Sequence, residues 1–287
     1  MTEHFLANHA GDPKRLDRVL RDRYPNASRH AIQELIAGRH VQVNGRTVWL
    51  ASWKIIGGDK ITIAEAPATL PVPLDTFDPA WIIAELGDII AVNKPAGLLS
   101  EPARRDDRGS LLELANSALG PVTLFHRLDR DTSGVLLLTR GGSINQRLAR
   151  AFSRHAVIKE YVAEVTAPNR LDAEGTIITR MNTDPQRRDR MVVVSKGGQL
   201  AVTHYTRIDD PAGRSWVRLR PDTGRTHQLR VHMAHLGAPI LGDILYGDRD
   251  SAPRLMLHSH KITLPVDLFG EGAFFTAPLP TEFAPMP

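Results

Sequence analysis

The chain has no cysteine, which excludes disulfide staples, thiolate nucleophiles and cysteine-ligated metal centres. It also lacks any apolar run of the length that crosses a bilayer as a helix. The N-terminus, MTEHFLANHAGD, has neither the basic start nor the apolar core of an export signal, so a cytoplasmic protein is expected. No GxxxxGK loop is present to cradle a nucleotide phosphate, no nucleophile-elbow pattern accompanies Ser133, and no internal repeat is evident. Histidines at 227, 232, 235, 258 and 260 lack the i, i+4 pairing of helical zinc ligands, so no metal is expected. Charge of one sign is also in short supply. The formal net charge is only +4, yet a pI near 9.6 and an arginine-rich basic set point to a polyanionic partner, because guanidinium groups fork onto phosphate.

What is present begins with length: 287 residues, 42% hydrophobic and 24% charged, suit one catalytic domain with a sizeable core and a small appendage. The centre of the chain is HRLDRDTSG, His126 to Gly134. It lies between Val122–Phe125 and Val135–Thr139, two apolar segments that read as buried strands. A carboxylate at Asp129, flanked by Arg127, Arg130 and Asp131, is more than a solvated turn needs. This loop is the active-site candidate. Ser133, His126 and Asp129 do not read as a hydrolase triad, since all three share one short loop.

Toward the N-terminus, Leu16, Val19 and Leu20, then Ile32, Leu35 and Ile36, predict two amphipathic helices. Pro25 stops the first, Asn26 or Ser28 caps the second, and Gly38 ends it. VQVNG and RTVWL predict a hairpin turning at Asn44-Gly45, and Lys60–Ile63 a further strand. Proline-rich residues 66–80 form a semi-extended linker. Beyond it, Ile82–Leu86 and Ile89–Val92 predict a hairpin about Gly87-Asp88, and Ser143–His155 an amphipathic helix. IKEYVAEV, Arg187–Val194, Ala201–Ile208, Ser215–Arg220 and LMLHS read as strands. Leu229, Met233 and Leu236 share one face of a helix.

HRLD, two variable residues and TSG closely resemble the signature of the RluA-type pseudouridine synthases. Asn93, Lys94, Pro95 and Gly97, the KxY pair Lys159 and Tyr161, and the run around Arg230 are similar to further motifs of that family in the same order. Glu101 departs from it, standing where many members carry histidine. The resemblance implies that Asp129 is the nucleophile or charge stabiliser, that Arg230 pairs with it, and that Tyr161 stacks on the target base. It further implies that Leu229 is the apolar residue beside Arg230, and that Arg127 fills the space a flipped base leaves. Lys94 can reach phosphate, but an architectural role is the favoured reading.

The N-terminal pattern is similar to the alpha-L RNA-binding motif of a small-subunit ribosomal protein. That likeness puts Arg15, Ser28, Arg29 and Gln33 on an RNA-facing surface, with Arg18, Arg21 and Arg39 adding phosphate contacts. The expected architecture is α+β, with a small alpha-L module at 13–65, the linker at 66–80, and a catalytic domain at 81–287 built on a mixed, mostly antiparallel sheet. The expected activity is isomerisation of uridine in structured RNA by a cytoplasmic monomer without cofactor or metal. Large-subunit ribosomal RNA is the favoured substrate and transfer RNA the alternative. A non-catalytic ribosome-assembly protein is the reading from another class, against which intact Asp129, Tyr161 and Arg230 argue.

Overall fold

The computed structural model describes residues 3–8, 11–24, 29–63, 76–102, 109–209 and 215–283. The chain divides into two compact units, residues 1–75 and 76–287. Pro25, Asn26, Ser28 and most of the linker lie outside the described residues.

The first unit contains β1 (Glu3–Leu6), β2 (Lys14–Arg15), α1 (Leu16–Arg23), α2 (Arg29–Ala37), β3 (Val41–Val43), β4 (Arg46–Val48), β5 (Lys54–Ile55) and β6 (Lys60–Ile63). Both expected helices form because their apolar faces share one core, in which Leu16, Leu20, Ile32 and Ile36 are shut from solvent against Val41 and Ile61. The strands pair antiparallel in the order β1-β6-β3-β4. Asn44 (φ 50°) and Gly45 (φ 81°) make the hairpin turn. Asn44 also binds the neighbouring strand, its Oδ1 accepting from the Lys60 amide at 2.8 Å. β4 ends at Val48, short of the expected RTVWL, and Trp49 and Leu50 are exposed.

The second unit contains β7 (Ile82–Leu86), β8 (Ile89–Lys94), α3 (Leu111–Leu119), β9 (Thr123–Leu124), β10 (Ser133–Thr139), α4 (Ser143–Ser153), β11 (Ile158–Glu164), β12 (Glu174–Thr183), β13 (Met191–Val194), β14 (Gln199–Asp209), β15 (Ser215–Pro221), α5 (Gln228–His235), β16 (Leu257–Thr263), α6 (Val266–Phe269) and β17 (Phe274–Thr276). These strands form one sheet in the order β13-β12-β14-β15-β11-β16-β10-β8-β7, with β17 added to β16 and β9 to β10. The ladders are antiparallel except where β10 runs parallel to β16, at Ser133↔His258 and Gly134↔Ser259. The architecture is the expected α+β with a mixed, mostly antiparallel sheet.

Every residue of β10 is buried, because α4 covers one face through Leu148 and Ala151 beside Val135 and Leu137. Two strands are shorter than the sequence predicts. Val122 drops out of β9 because its amide donates to the Asn116 side chain at 2.8 Å. Residues 187–190 drop out of β13 because Arg190 N–H turns back to the Arg187 carbonyl at 3.0 Å. β12 carries no apolar alternation, only Ile177 and Met181 being buried along it, and the sequence reading passes over it. The same reading passes over α3, although Ser110 and Glu113 form a capping box at its start.

Candidate active site

The loop carrying Asp129 is held from below by its neighbours. Ser100 Oγ donates to the Leu128 carbonyl at 2.8 Å and accepts from the Leu128 amide at 3.0 Å. Lys94 is fully buried and its Nζ donates to the carbonyls of Pro95, Leu98 and Arg130 at 2.9, 2.7 and 2.9 Å. Gly97 N–H reaches the same Arg130 carbonyl at 2.9 Å. Burial pulls the Lys94 ammonium down to about 7, against the charges of Asp131 and Asp129. Lys94 therefore ties two loops together and has no face for a phosphate. His126 Nε2 accepts from the Leu137 amide at 3.1 Å, and its ring stacks on Phe152.

The glycine of the loop has a steric reason. Gly134 has φ +114°, and a methyl group there would run into the Ser259 carbonyl, so only glycine lets β10 lie this close to β16. Across β16, Ser259 is opposite Tyr161 on β11, where the register shifts between Glu160 and Tyr161. A bulge at this point re-aims the side chain that follows it. Tyr161 is 8% exposed and shares with Asp129, Lys159, Leu229 and Arg230 a cavity of about 100 Å³. Burial pushes the Tyr161 phenol well above its ordinary range; a hydrogen bond with Ser259 opposes the shift and the Asp129 charge adds to it. At neutral pH the phenol keeps its proton.

α5 supplies the cation. Its start is fixed by Gln228, whose side chain accepts from the Thr223 hydroxyl and the Arg225 amide and donates to the Val202 carbonyl and the Thr203 hydroxyl. Arg230 Nη1 lies 3.6 Å from Asp129 Oδ2. Its other nitrogens fork onto Asp243, Nε to Oδ2 at 2.8 Å and Nη2 to Oδ1 at 2.7 Å. Burial disfavours the Arg230 charge, but the bonds and charge of Asp243, with Asp129 and Asp131 adding, hold the guanidinium above its usual range. The Tyr246 ring stands 5.3 Å from this guanidinium.

The structure thus brings Asp129, Tyr161, Arg230 and Leu229 to one pocket. Arg127, like Asp129, lines that pocket and also a larger cleft of about 560 Å³. It donates to Glu101 at 3.0 Å and to Thr226 at 3.2 Å, so the family departure at Glu101 faces the residue expected to replace the base. Ser133 does not face His126; its hydroxyl pairs with His258 Nδ1 at 2.9 Å. Three of the other histidines also have protein partners: His227 meets the Tyr246 hydroxyl, His232 the hydroxyls of Thr203 and Thr179, and His260 the Ala277 carbonyl. Among the described residues no group of three or more histidine or acidic side chains is arranged to hold a metal ion.

In the N-terminal unit, Arg15 forks onto Asp17 at 2.9 Å by both bonds, and Gln33 is half-buried on α2. Arg29 is described only as the first residue of α2.

Asp243 and Tyr246 are the site residues that sequence reasoning missed, and His227, weighed there only as a metal ligand, pairs instead with Tyr246. Asp243 is fully buried, and the available signal was an acidic residue set in the apolar run PILGDILYG, where a buried carboxylate requires a buried cation.

A family model described as RNA pseudouridylate synthase matches residues 88–235, and an S4 domain model matches residues 14–61. The ribosomal large subunit pseudouridine synthase D of Escherichia coli K12 is 34% identical over 253 residues, which cover 84% of this chain and 75% of that protein. The protein of the same name from Haemophilus ducreyi is 33% identical over 291 residues, covering 94% of this chain and 88% of the relative. Among solved structures, human RNA pseudouridylate synthase domain containing 4 superposes with a TM-score of 0.55 at 26% identity, covering 70% of this chain and 89% of that one. The chain belongs to the RNA pseudouridylate synthase family. It is an isomerase of that family, converting uridine to pseudouridine, and it carries an S4 domain ahead of its catalytic unit.

Proposed function

We propose that the protein isomerises specific uridines in large-subunit ribosomal RNA, with Asp129, Tyr161 and Arg230 as its catalytic residues. The observation that carries this reading is the placing of Arg230 Nη1 3.6 Å from Asp129 in a pocket walled by Tyr161. A uridine must first leave its stack to enter the pocket. The bond between N1 and ribose C1′ then breaks, the base turns, and C5 bonds to C1′ while the C5 proton departs and N1 regains one. The balance is a rearrangement with no net oxidation or reduction. Asp129 attacks the sugar or the base as a carboxylate nucleophile. Arg230 supplies a fixed positive charge beside it where charge develops. Tyr161 and Leu229 offer a phenol face and an apolar side chain to the base, and Arg127 occupies the space the base vacates.

The S4 module, residues 13–65, joined by residues 66–80 to a catalytic domain at 81–287, grips the RNA backbone through Arg15, Ser28, Arg29 and Gln33. The names of the relatives support ribosomal RNA as the target. A cytoplasmic monomer suits this role; among the described residues no helix is long and apolar enough to cross a membrane.

Pseudouridines mapped chemically in total RNA, from cells with the gene, without it, and complemented by the parent or by Asp129→Asn, test the reading. Sites in large-subunit ribosomal RNA should vanish on deletion and return only with the parent. Loss confined to transfer RNA would move the target, and unchanged maps would refute the assignment.

A further inference from the structure

We propose that Asp243 and Tyr246 are positioning residues for the isomerisation, setting the plane of Arg230 so that a single N–H edge faces Asp129. The proposal rests on the catalytic role given above to Arg230. A guanidinium is a rigid planar fork, and a lone carboxylate beside it draws it into a two-bond pair. Such a pair on Asp129 would occupy both oxygens of the nucleophile. Here the fork is spent on Asp243, at 2.8 and 2.7 Å, and Asp129 receives only the remaining nitrogen at 3.6 Å. Asp129 keeps a charged neighbour and an oxygen free to attack.

Asp243 is itself held on several sides. Its side chain is fully buried, and Oδ1 also accepts from the Leu245 and Tyr246 amides at 2.9 and 3.1 Å. The preceding Gly242 has φ +71°, and a methyl group there would strike the Arg254 carbonyl, so the backbone bringing Asp243 inward tolerates only glycine. Tyr246 closes the remaining freedom. Its ring covers Arg230 at 5.3 Å, while Arg190 stands 5.1 Å from the same ring. Its hydroxyl accepts from the Met191 amide at 2.8 Å and meets His227 Nδ1 at 2.9 Å. His227, at the N-cap of α5, takes φ 54°, a left-handed conformation costly for a side chain with Cβ. The network thus joins β13, the start of α5 and the 242–246 turn around one cation.

The test is a rate cycle on full-length protein: single-turnover rate, RNA dissociation constant and melting for Asp243→Asn, Tyr246→Leu, Arg230→Met and the two doubles with Arg230→Met. Asp243→Asn should slow turnover roughly tenfold to a hundredfold, the scale of a misplaced catalytic group. RNA affinity should hold within about twofold, because Asp243 touches no solvent-facing surface. In the Arg230→Met background, Asp243→Asn should leave the rate where Arg230→Met put it, since nothing remains to position. The same slowing in both backgrounds would show a purely structural role and overturn the proposal.

Asp243→Asn leaves a buried guanidinium half-paired and can unfold the protein. Tyr246→Leu, which removes the covering ring while the Arg230–Asp243 pair stays intact, then decides, by slowing the parent but not Arg230→Met. An Arg230→Met enzyme as fast as the parent would sink the role of Arg230 and this proposal with it. A slow Arg230→Met beside a fast Asp243→Asn would sink this proposal alone.

Discussion

His232 and His258 are completely buried, each with a ring nitrogen committed to a hydroxyl, and burial holds both imidazoles neutral in the folded chain. Desolvation, assisted by His235, lowers His232 to about 4. Desolvation lowers His258 to about 3. In the unfolded chain both titrate near the ordinary value of about 6.5, so between those limits the unfolded state binds protons that the folded state does not. Stability therefore falls as pH drops from about 6.5 toward 4, by about 1.4 kcal/mol per pH unit for each histidine. Denaturant unfolding of His232→Gln across this range should show a slope shallower by about that amount. Parallel curves for variant and parent would refute the buried-neutral account. Legibility at this scale depended on company. Asp129 stood out because several charges crowd between apolar runs, whereas Asp243 is a single acid after a glycine, which reads as a turn. Its partner, Arg230, is recognised only once α5 and the 242–246 turn are brought together in space.

Where β10 meets β16, an element's position depends on one missing side chain. Gly134→Ala would force a methyl group against the Ser259 carbonyl at a positive φ, and Ser259 is the residue opposite Tyr161. The strands must separate or the variant must strain, at a cost of about 1 to 3 kcal/mol or more. Its melting temperature should fall, and its turnover should fall further than that of surface variants of equal stability, because Tyr161 moves with β16. A variant as stable and active as the parent would remove the close approach from the account. Helices α1, α2 and α4 and the two hairpins were legible because apolar period and turn residues act locally. The strand order was not, since β16 comes from near the C-terminus to lie between β10 and β11, and no local signal encodes that insertion. β12 was hidden by its mostly exposed faces, and β13 was overextended because the expected strand took in the charged residues 187–190, which form a turn.

Across the two units, the proposed roles divide between an S4 domain that grips RNA and a pseudouridylate synthase domain that changes it. A chain beginning at residue 76 should fold cooperatively around the core of the second unit, yet bind RNA more weakly and with a shallower dependence on salt, since the phosphate contacts proposed for the module's arginines would be lost. Equal affinity at low and high salt would show that the module is no clamp. The reaction proposed here turns on one carboxylate, and Asp129→Asn keeps the side chain's size while removing the charge. The decisive measurement is release of tritium from C5-labelled uridine in substrate RNA under single-turnover conditions, with melting and RNA binding recorded on the same preparation. A folded, RNA-binding protein that releases none is expected; tritium release at the parent's rate would contradict the role proposed for Asp129.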